Sequence, residues 1–292
     1  MKIAVLSDIH GNLPALQTAV TDIDAWNPDK VVVNGDIVNR GPLSLDCLRL
    51  IRQRHETDGW HLVRGNHEDY LLECAQPDSP QSGPKYELMQ FAHWAYNQLN
   101  GDVAALAAMP EQFQWVAPDG SEFRVVHASM KSRRWGIYYK QPIEEQRELI
   151  APPPAVFVTG HTHLPHIHTV DETLVVNAGS VGASFDLDHR LSYGRFTWDE
   201  ANGWQAEIIR LEYDQAQVEK DYVESGFLAE AGALAQLMLV ELRKARGLIY
   251  RWAHKYEKAV LAGEIDIESS VRELMAEEDV RPFTGPPGWT IP

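Results

Sequence analysis

IAVLSDIHGNLPALQTAVTDIDAWNPDKVVVNGD, residues 3–36, decides the fold. A four-residue apolar run, Ile3 to Leu6, leads into an amphipathic segment from Leu13 to Trp26, and a second apolar run, Val31 to Val33, follows. Short β-branched runs separated by a helical pattern read as a βαβ unit, which places the two strands parallel in one sheet. The unit repeats with a helix from about Leu43 to Arg54 and the strand WHLVR, residues 60–64. Each strand-like run gives way at once to polar residues: Asp8 and His10 after the first, Asp36 after the second.

Outward from this stretch the pattern changes. A Pro/Ser/Gly-rich loop, residues 77–84, precedes two helical patterns, YELMQFAHWAYNQL and DVAALAAM, read as a helical insertion over about residues 77–110. From residue 112 hairpins take over: QFQWVA with EFRVVH, HIHTV with TLVVN, and YGRFTWD with WQAEIIRL, each pair joined by a short polar turn. The second half is therefore expected to supply a more antiparallel sheet. Residues 1–213 form the expected catalytic domain, and 214–292 a helical extension ending in a Pro/Gly-rich tail.

Five polar clusters follow directly on strand-like runs: Asp8 with His10, Asp36, Asn66 with His67, His127, and His161 with His163. Strand ends in an open α/β sheet open onto one crevice, so these groups should converge despite their separation in sequence. On extended backbone i and i+2 point the same way, so Asp8 with His10, and His161 with His163, should each face one cavity. Gly35, Gly65 and Gly160 are placed to let the chain turn sharply. Carboxylates, imidazoles and one amide oxygen, with no thiolate, suit manganese, iron or zinc. Seven such groups exceed one tetrahedral ion and divide between two if a carboxylate bridges them, with Asp36 the bridging candidate. Any one of these residues alone is more simply a helix cap or an ordinary hydrogen-bonding group; five of the 12 histidines falling in these motifs reverses that balance. His93, on a helical pattern, reads as packing, and His166 and His168 as residues of a following strand.

SDIHG (7–11), GDIVNRG (35–41), GNHE (65–68), VVH (125–127) and GHTH (160–163), in this order, resemble the calcineurin-like metallophosphoesterases over about residues 3–185. VVNAGSVG and HRLSYG further on are similar to the smaller bacterial branch. The resemblance implies two packed mixed β-sheets flanked by helices, a four-layer α/β/β/α sandwich. It also implies that Asp8, His10, Asp36 and His163 hold one ion, and Asp36, Asn66, His127 and His161 the other. Metal-bound hydroxide would attack phosphorus in line, His67 would protonate the leaving oxygen and Arg40 would grip the phosphate. Asn39 departs from the aspartate common at that position in GDxxDRG; an amide can orient His67 only as a neutral acceptor.

With 26 Lys plus Arg against 42 Asp plus Glu, the 292-residue chain has a formal charge of −16, which disfavours long nucleic acids. Its 44% apolar and 23% charged residues are those of a globular protein. Cys47 and Cys74 fall in helical patterns, so neither a disulfide framework nor a thiolate metal site is expected, which fits a cytoplasmic setting. No stretch reads as a signal peptide or a membrane span, FLAEAGALAQLMLVEL (227–242) being broken by Glu230 and Gln236. Arg133 and Arg134 in KSRRW, and His189 with Arg190, are candidate substrate contacts. The helices after Asp214 complete a core or pair with a second copy as a homodimer. The expected activity is hydrolysis of a small or medium phosphate ester, the alternatives being a dinucleoside polyphosphate hydrolase, a serine/threonine protein phosphatase, or a non-catalytic metal- or nucleotide-binding regulator.

Overall fold

The computed structural model describes residues 1–278, so the Pro/Gly-rich tail lies outside the described residues. The opening unit forms as its periodicity dictates: β1 (Lys2–Leu6), α1 (Leu13–Trp26), β2 (Lys30–Asn34), α2 (Ser44–Asp58) and β3 (His61–Val63), with β1, β2 and β3 parallel neighbours. Asn12 starts α1 by accepting the Ala15 N–H at 3.1 Å, as an N-cap side chain does. The next helices are α3 (Asn66–Cys74), α4 (Pro84–Gln98) and the single turn α5 (Ala104–Ala107).

The second sheet follows: β4 (Gln112–Val116), β5 (Glu122–Val126), then α6 (Ile143–Ile150), β6 (Val156–Thr159), β7 (His166–Val170) and β8 (Thr173–Asn177), in the order β4-β5-β6-β8-β7. The third hairpin, β9 (Leu191–Asp199) with β10 (Gly203–Leu211), does not join it. It crosses back and pairs antiparallel with β1, giving the first sheet the order β10-β9-β1-β2-β3. The strands of the second half are thus divided between the two sheets instead of forming one more antiparallel sheet, and the two mixed sheets that the resemblance implies are present. The β5–β6 and β6–β8 pairs are parallel, and both sheets are mixed.

Period-2 alternation assigns each strand's two faces. Ile3 and Val5 of β1, Val32 of β2, Val125 of β5 and Val156 and Val158 of β6 meet between the sheets. Ala4 and Leu6, with Val31 and Val33, turn outward onto helices; on the far side Phe157 and Val175 pack on Leu149 and Ile150 of α6. The result is the expected four layers.

The extension comprises α7 (Gln215–Glu224), α8 (Phe227–Glu230), α9 (Leu234–Lys244), α10 (Ile249–Leu261) and α11 (Ile267–Glu277). The apolar stretch 227–242 is two helices rather than one, broken at Gly232, whose φ is +85°. Leu234, Leu237, Met238, Trp252 and Leu274 belong to the same buried cluster as Leu6 and Leu16, so these helices complete the core of the first sheet. Both cysteines are buried and free. Among the described residues, no helix is long and apolar enough to cross a membrane.

One side chain ties the loops after β2 and β3 together. The fully buried Glu68 carboxylate accepts the N–H groups of Asp36, Ile37 and Gly65, each at 2.8 Å. An amide in its place keeps one acceptor and turns an NH₂ toward backbone donors. Glu68→Gln is therefore expected to lower unfolding free energy by about 2–4 kcal/mol, read from urea melts; a loss below about 0.5 kcal/mol contradicts the clasp.

Candidate metal centre

The ends of β1, β2, β3, β5 and β6 lie together because parallel strands all finish on one edge. Backbone bonds knit their loops: Ile9 and His10 N–H both reach the Asp36 carbonyl, at 2.8 and 2.9 Å, and Gly160 N–H reaches the His127 carbonyl at 2.9 Å. Side chains bridge the two sheets, with Asn34 Nδ2 donating to the Val126 carbonyl at 3.0 Å and Ser180 Oγ to the Asp8 carbonyl at 2.7 Å.

All seven residues expected to bind metal are brought together. Metal-ligating atoms of Asp8, His10 and His163 lie within 4.8 Å of one another, as do those of Asp36, His127 and His161, and of His10, Asp36 and His67. Asn66 Oδ1 sits 2.9 Å from His127 Nε2 and 2.8 Å from His161 Nδ1. Asp36 Oδ2 is 3.6 Å from His10 Nε2 and 3.3 Å from His127 Nε2, between two of the groups.

The route to this convergence differs from the alternation of an extended strand. Asp8, His10, Asp36, Asn39, Arg40, His161 and His163 all have φ between 49° and 70°, the left-handed region that side chains other than glycine seldom adopt. His161 and His163 consequently serve different groups instead of one cavity. Of the three glycines expected at turns, only Gly35 has positive φ, at +78°. Gly65 and Gly160 allow close approach instead: a Cβ would fall 2.1 Å from Asp36 Oδ1 at the first and 2.5 Å from Asp8 Oδ2 at the second.

Several features fit divalent cations. Asp8 Oδ1 is buried with no hydrogen-bond donor, a costly state unless a cation faces it. His10 Nε2 and His163 Nε2 face each other at 3.2 Å. His127 Nδ1 donates to the Asn34 carbonyl at 2.8 Å and His163 Nδ1 to the Ala183 carbonyl at 2.5 Å, which leaves each Nε2 lone pair turned inward. Burial pushes His10 well below the usual histidine range, and burial with the charge on His127 takes His161 down to about 4, so both imidazoles are neutral lone-pair donors. Burial works to raise Asp36, yet the charge on His127 and its hydrogen bond hold it well below the usual carboxylate range. Burial opposes charging of His127, but Asp36 beside it lifts the imidazole to about 10. Without a cation, a proton on His127 balances the carboxylate.

The remaining expected site residues are placed differently. Asn39 does not hydrogen-bond to His67: its Oδ1 folds back to accept the Arg40 N–H at 2.9 Å, while Asn39 Nδ2 and His67 Nδ1 are both buried without a partner. Burial drives His67 down to about 3, Asp36 opposing the fall and the charge on Arg40 adding to it, so His67 is neutral at pH 7 and carries no ready second proton. Arg40 does not stand free to grip phosphate. Its guanidinium pairs with the buried Glu241 of α9, its carbonyl accepts from Tyr222 Oη at 3.1 Å, and it lies 5.5 Å over the Phe185 ring. Arg133 is bound by Asp69 at 2.7 Å and Glu111 at 2.8 Å, and Arg134 by Glu73 at 2.8 Å, so both anchor their loop to α3 and its surroundings. Arg190 is engaged by Asp188 at 2.7 Å, and His189 lies beside it in a surface depression with Leu187 and Glu212. His93 packs on Tyr86, and His166 and His168 belong to β7 as expected.

Sequence reasoning missed Glu68, Glu241, Phe185 and Tyr70. Phe185 stacks on His163 with centroids 4.3 Å apart, and Tyr70 meets His67 edge-on at 5.0 Å. Glu68 had a signal, since it closes the GNHE motif; the other three reach the site only through the fold.

The calcineurin-like phosphoesterase family model matches residues 1–165. The chain is 28% identical over 229 residues to an uncharacterized protein of Methanocaldococcus jannaschii, covering 73% of this chain and 88% of that protein. It is 38% identical over 78 residues to the symmetrical bis(5'-nucleosyl)-tetraphosphatase of Chromobacterium violaceum, a match of 26% of this chain and 27% of that one. Among solved structures it is similar to a metallophosphoesterase from Sphaerobacter thermophilus, with a TM-score of 0.65 and 25% identity over 84% of this chain and 99% of that one. The strand-end cluster, the two mixed sheets and these matches agree: the chain belongs to the calcineurin-like phosphoesterase family of metal-dependent phosphoester hydrolases.

Proposed function

We propose that the chain hydrolyses a small or medium phosphate ester with two divalent transition-metal ions, one held by Asp8, His10, Asp36 and His163 and the other by Asp36, Asn66, His127 and His161. The observation that carries this reading is the place of Asp36, whose carboxylate reaches imidazoles of both groups and is 1% exposed. A pair of such ions neutralises phosphate charge and renders water nucleophilic near neutral pH. Manganese, iron and zinc all suit this oxygen and nitrogen set.

The chain's own groups do the rest. Hydrogen bonds from Nδ1 hold His127 and His163 in the tautomer that presents Nε2. Buried walls exclude bulk water and strengthen every charge interaction inside. His67 lies against His10, ring centroids 4.8 Å apart, within reach of an ester seated between the groups. The negative charge of that ester raises the affinity of His67 for a proton, so it acts as proton donor only with substrate in place. Arg40, held by Glu241, contributes a fixed positive charge beside His10 and His67.

Three measurements test the reading. Phosphate release with manganese supplied, over nitrophenyl mono- and diesters, dinucleoside polyphosphates and phosphopeptides, ranks the substrate classes; Asp36→Asn should cut the best activity by more than about 100-fold, and undiminished release would remove Asp36 from the centre. Manganese titrated into metal-free chain at pH 7 should displace about one proton, from His127, seen as a dependence of binding heat on the buffer's ionisation enthalpy. No displacement means that His127 is not displaced from its proton. Asn39→Asp adds a buried negative charge beside Arg40, offsets the Arg40 charge that depresses His67, and should move the alkaline limb of kcat upward by about one pH unit, because a raised acid stays protonated to higher pH. An unmoved limb assigns leaving-group protonation elsewhere.

A further inference from the structure

Four Tyr or Trp rings are exposed among the described residues, Trp135 (62%), Tyr138 (41%), Tyr139 (60%) and Tyr250 (80%), and three of them, Trp135, Tyr138 and Tyr250, share one cavity. Exposed aromatic rings gathered beside one cavity mark a contact surface. Trp135, Tyr138 and Tyr250 line one cavity of about 390 Å³ together with Lys131, Arg134 and Glu148. That volume falls within the roughly 300–1,000 Å³ of small-molecule sites.

The cavity adjoins the metal centre. The loop carrying Trp135 begins at His127, and Gly136 within it lies against His161 of the same group: a Cβ on Gly136 would come 3.0 Å from His161 Cδ2 and 2.5 Å from Thr162 Cγ2. The loop is pinned to α3, the helix that opens with Asn66 and His67, through Arg133 with Asp69 and Arg134 with Glu73. The opposite wall is equally fixed. Tyr250 is the second residue of α10, whose first N–H groups, those of Leu248 and Ile249, donate to Glu241 Oε1 at 2.5 and 2.7 Å, while the same carboxylate binds Arg40. One buried glutamate thus sets the start of α10 relative to the phosphate-side loop.

We propose that this cleft is a subsite for the nucleobase of a nucleotide-type phosphate ester, taken between Trp135 and Tyr250 while its phosphate sits at the metal centre. The proposal rests on the phosphoesterase reading above and names its substrate class. Exposed flat rings suit a flat heteroaromatic ligand, because stacking is tolerant of ring type. The lining also carries polar groups, Gln141 and Glu145 beside a Lys131–Glu148 ion pair, which suit the polar edge of a base better than an alkyl or hydrocarbon group. A net charge of −16 argues against a long polynucleotide and for a ligand with few phosphates.

Calorimetric titration of manganese-loaded full chain with adenosine 5'-phosphate and ribose 5-phosphate isolates the base, since the two ligands share the sugar phosphate. Adenosine phosphate should bind about tenfold or more tightly. Trp135→Ala and Tyr250→Ala should each remove most of that difference while ribose phosphate affinity stays unchanged, and Trp135→Phe should restore it. Equal affinity of the two ligands, or a difference that survives both alanine substitutions, overturns the subsite. So does an equal loss for both ligands, or a change in sedimentation, which would make the rings a structural or intersubunit surface. Retained base preference with no hydrolysis of any ester sinks the phosphoesterase reading and leaves the subsite standing; hydrolysis without base preference does the reverse.

Discussion

Two carboxylates, Asp8 and Asp36, are buried to within 1% of complete exclusion among imidazoles, at the meeting point of five strand ends. Burying an isolated carboxylate is prohibitive, and burying two side by side is tolerable only if positive charge comes with them. In the protein alone a proton on His127 supplies part of it, while Asp8 Oδ1 has no donor at all. The fold holds this arrangement against its own electrostatics, and seven left-handed backbone conformations at the site add to the strain. Divalent cations would neutralise the carboxylates, and the strained loops are what hold those carboxylates together.

Holding such a site requires partners of comparable strength around it. Glu68 clasps the backbone of two site loops with three hydrogen bonds, and burial with the charge of Asp36 raises its carboxyl to about 7. Glu241 does similar work from outside the matched family region, joining Arg40 to the first turn of α10. The helical extension therefore contributes walls as well as core: its apolar faces complete the first sheet's packing and its polar ends reach the site. That double role distinguishes it from an appended module, whose apolar surface would be separate from the core of the sheet.

The surroundings of the centre are less charged than its sequence neighbours suggest. Arg133, Arg134 and Arg190 stand in an acidic chain as apparent phosphate contacts, but each is paired with Asp or Glu in the fold. The adjoining cleft carries exposed aromatic rings, those of Trp135, Tyr138 and Tyr250, beside paired charges. In the proposed subsite, discrimination between substrates would fall to shape and stacking in the cleft by Trp135 and Tyr250, as specificity in a shared fold lies in the groups around its core.

Local pattern was enough to place β1 through β3 with their helices, the three hairpins and the convergence of Asp8, Asp36, Asn66, His127 and His161, because strand ends in a parallel sheet share an edge wherever the chain returns to it. The motif order also carried the family. Pattern could not place the β9–β10 hairpin in the first sheet, because both sheets offer an antiparallel edge and sequence periodicity does not say which is free. Nor could it divide His161 from His163, whose opposite assignments follow from positive φ rather than from strand alternation. Asn39, Arg40 and Arg134 were read by residue type, but their partners sit on segments far away in sequence or depend on a local backbone twist, as with Glu241 for Arg40. Residue type and spacing determined which ligands exist and which strands deliver them. Pairing between distant side chains, settled only when helices from the end of the chain pack onto its first sheet, decided which charges remain available.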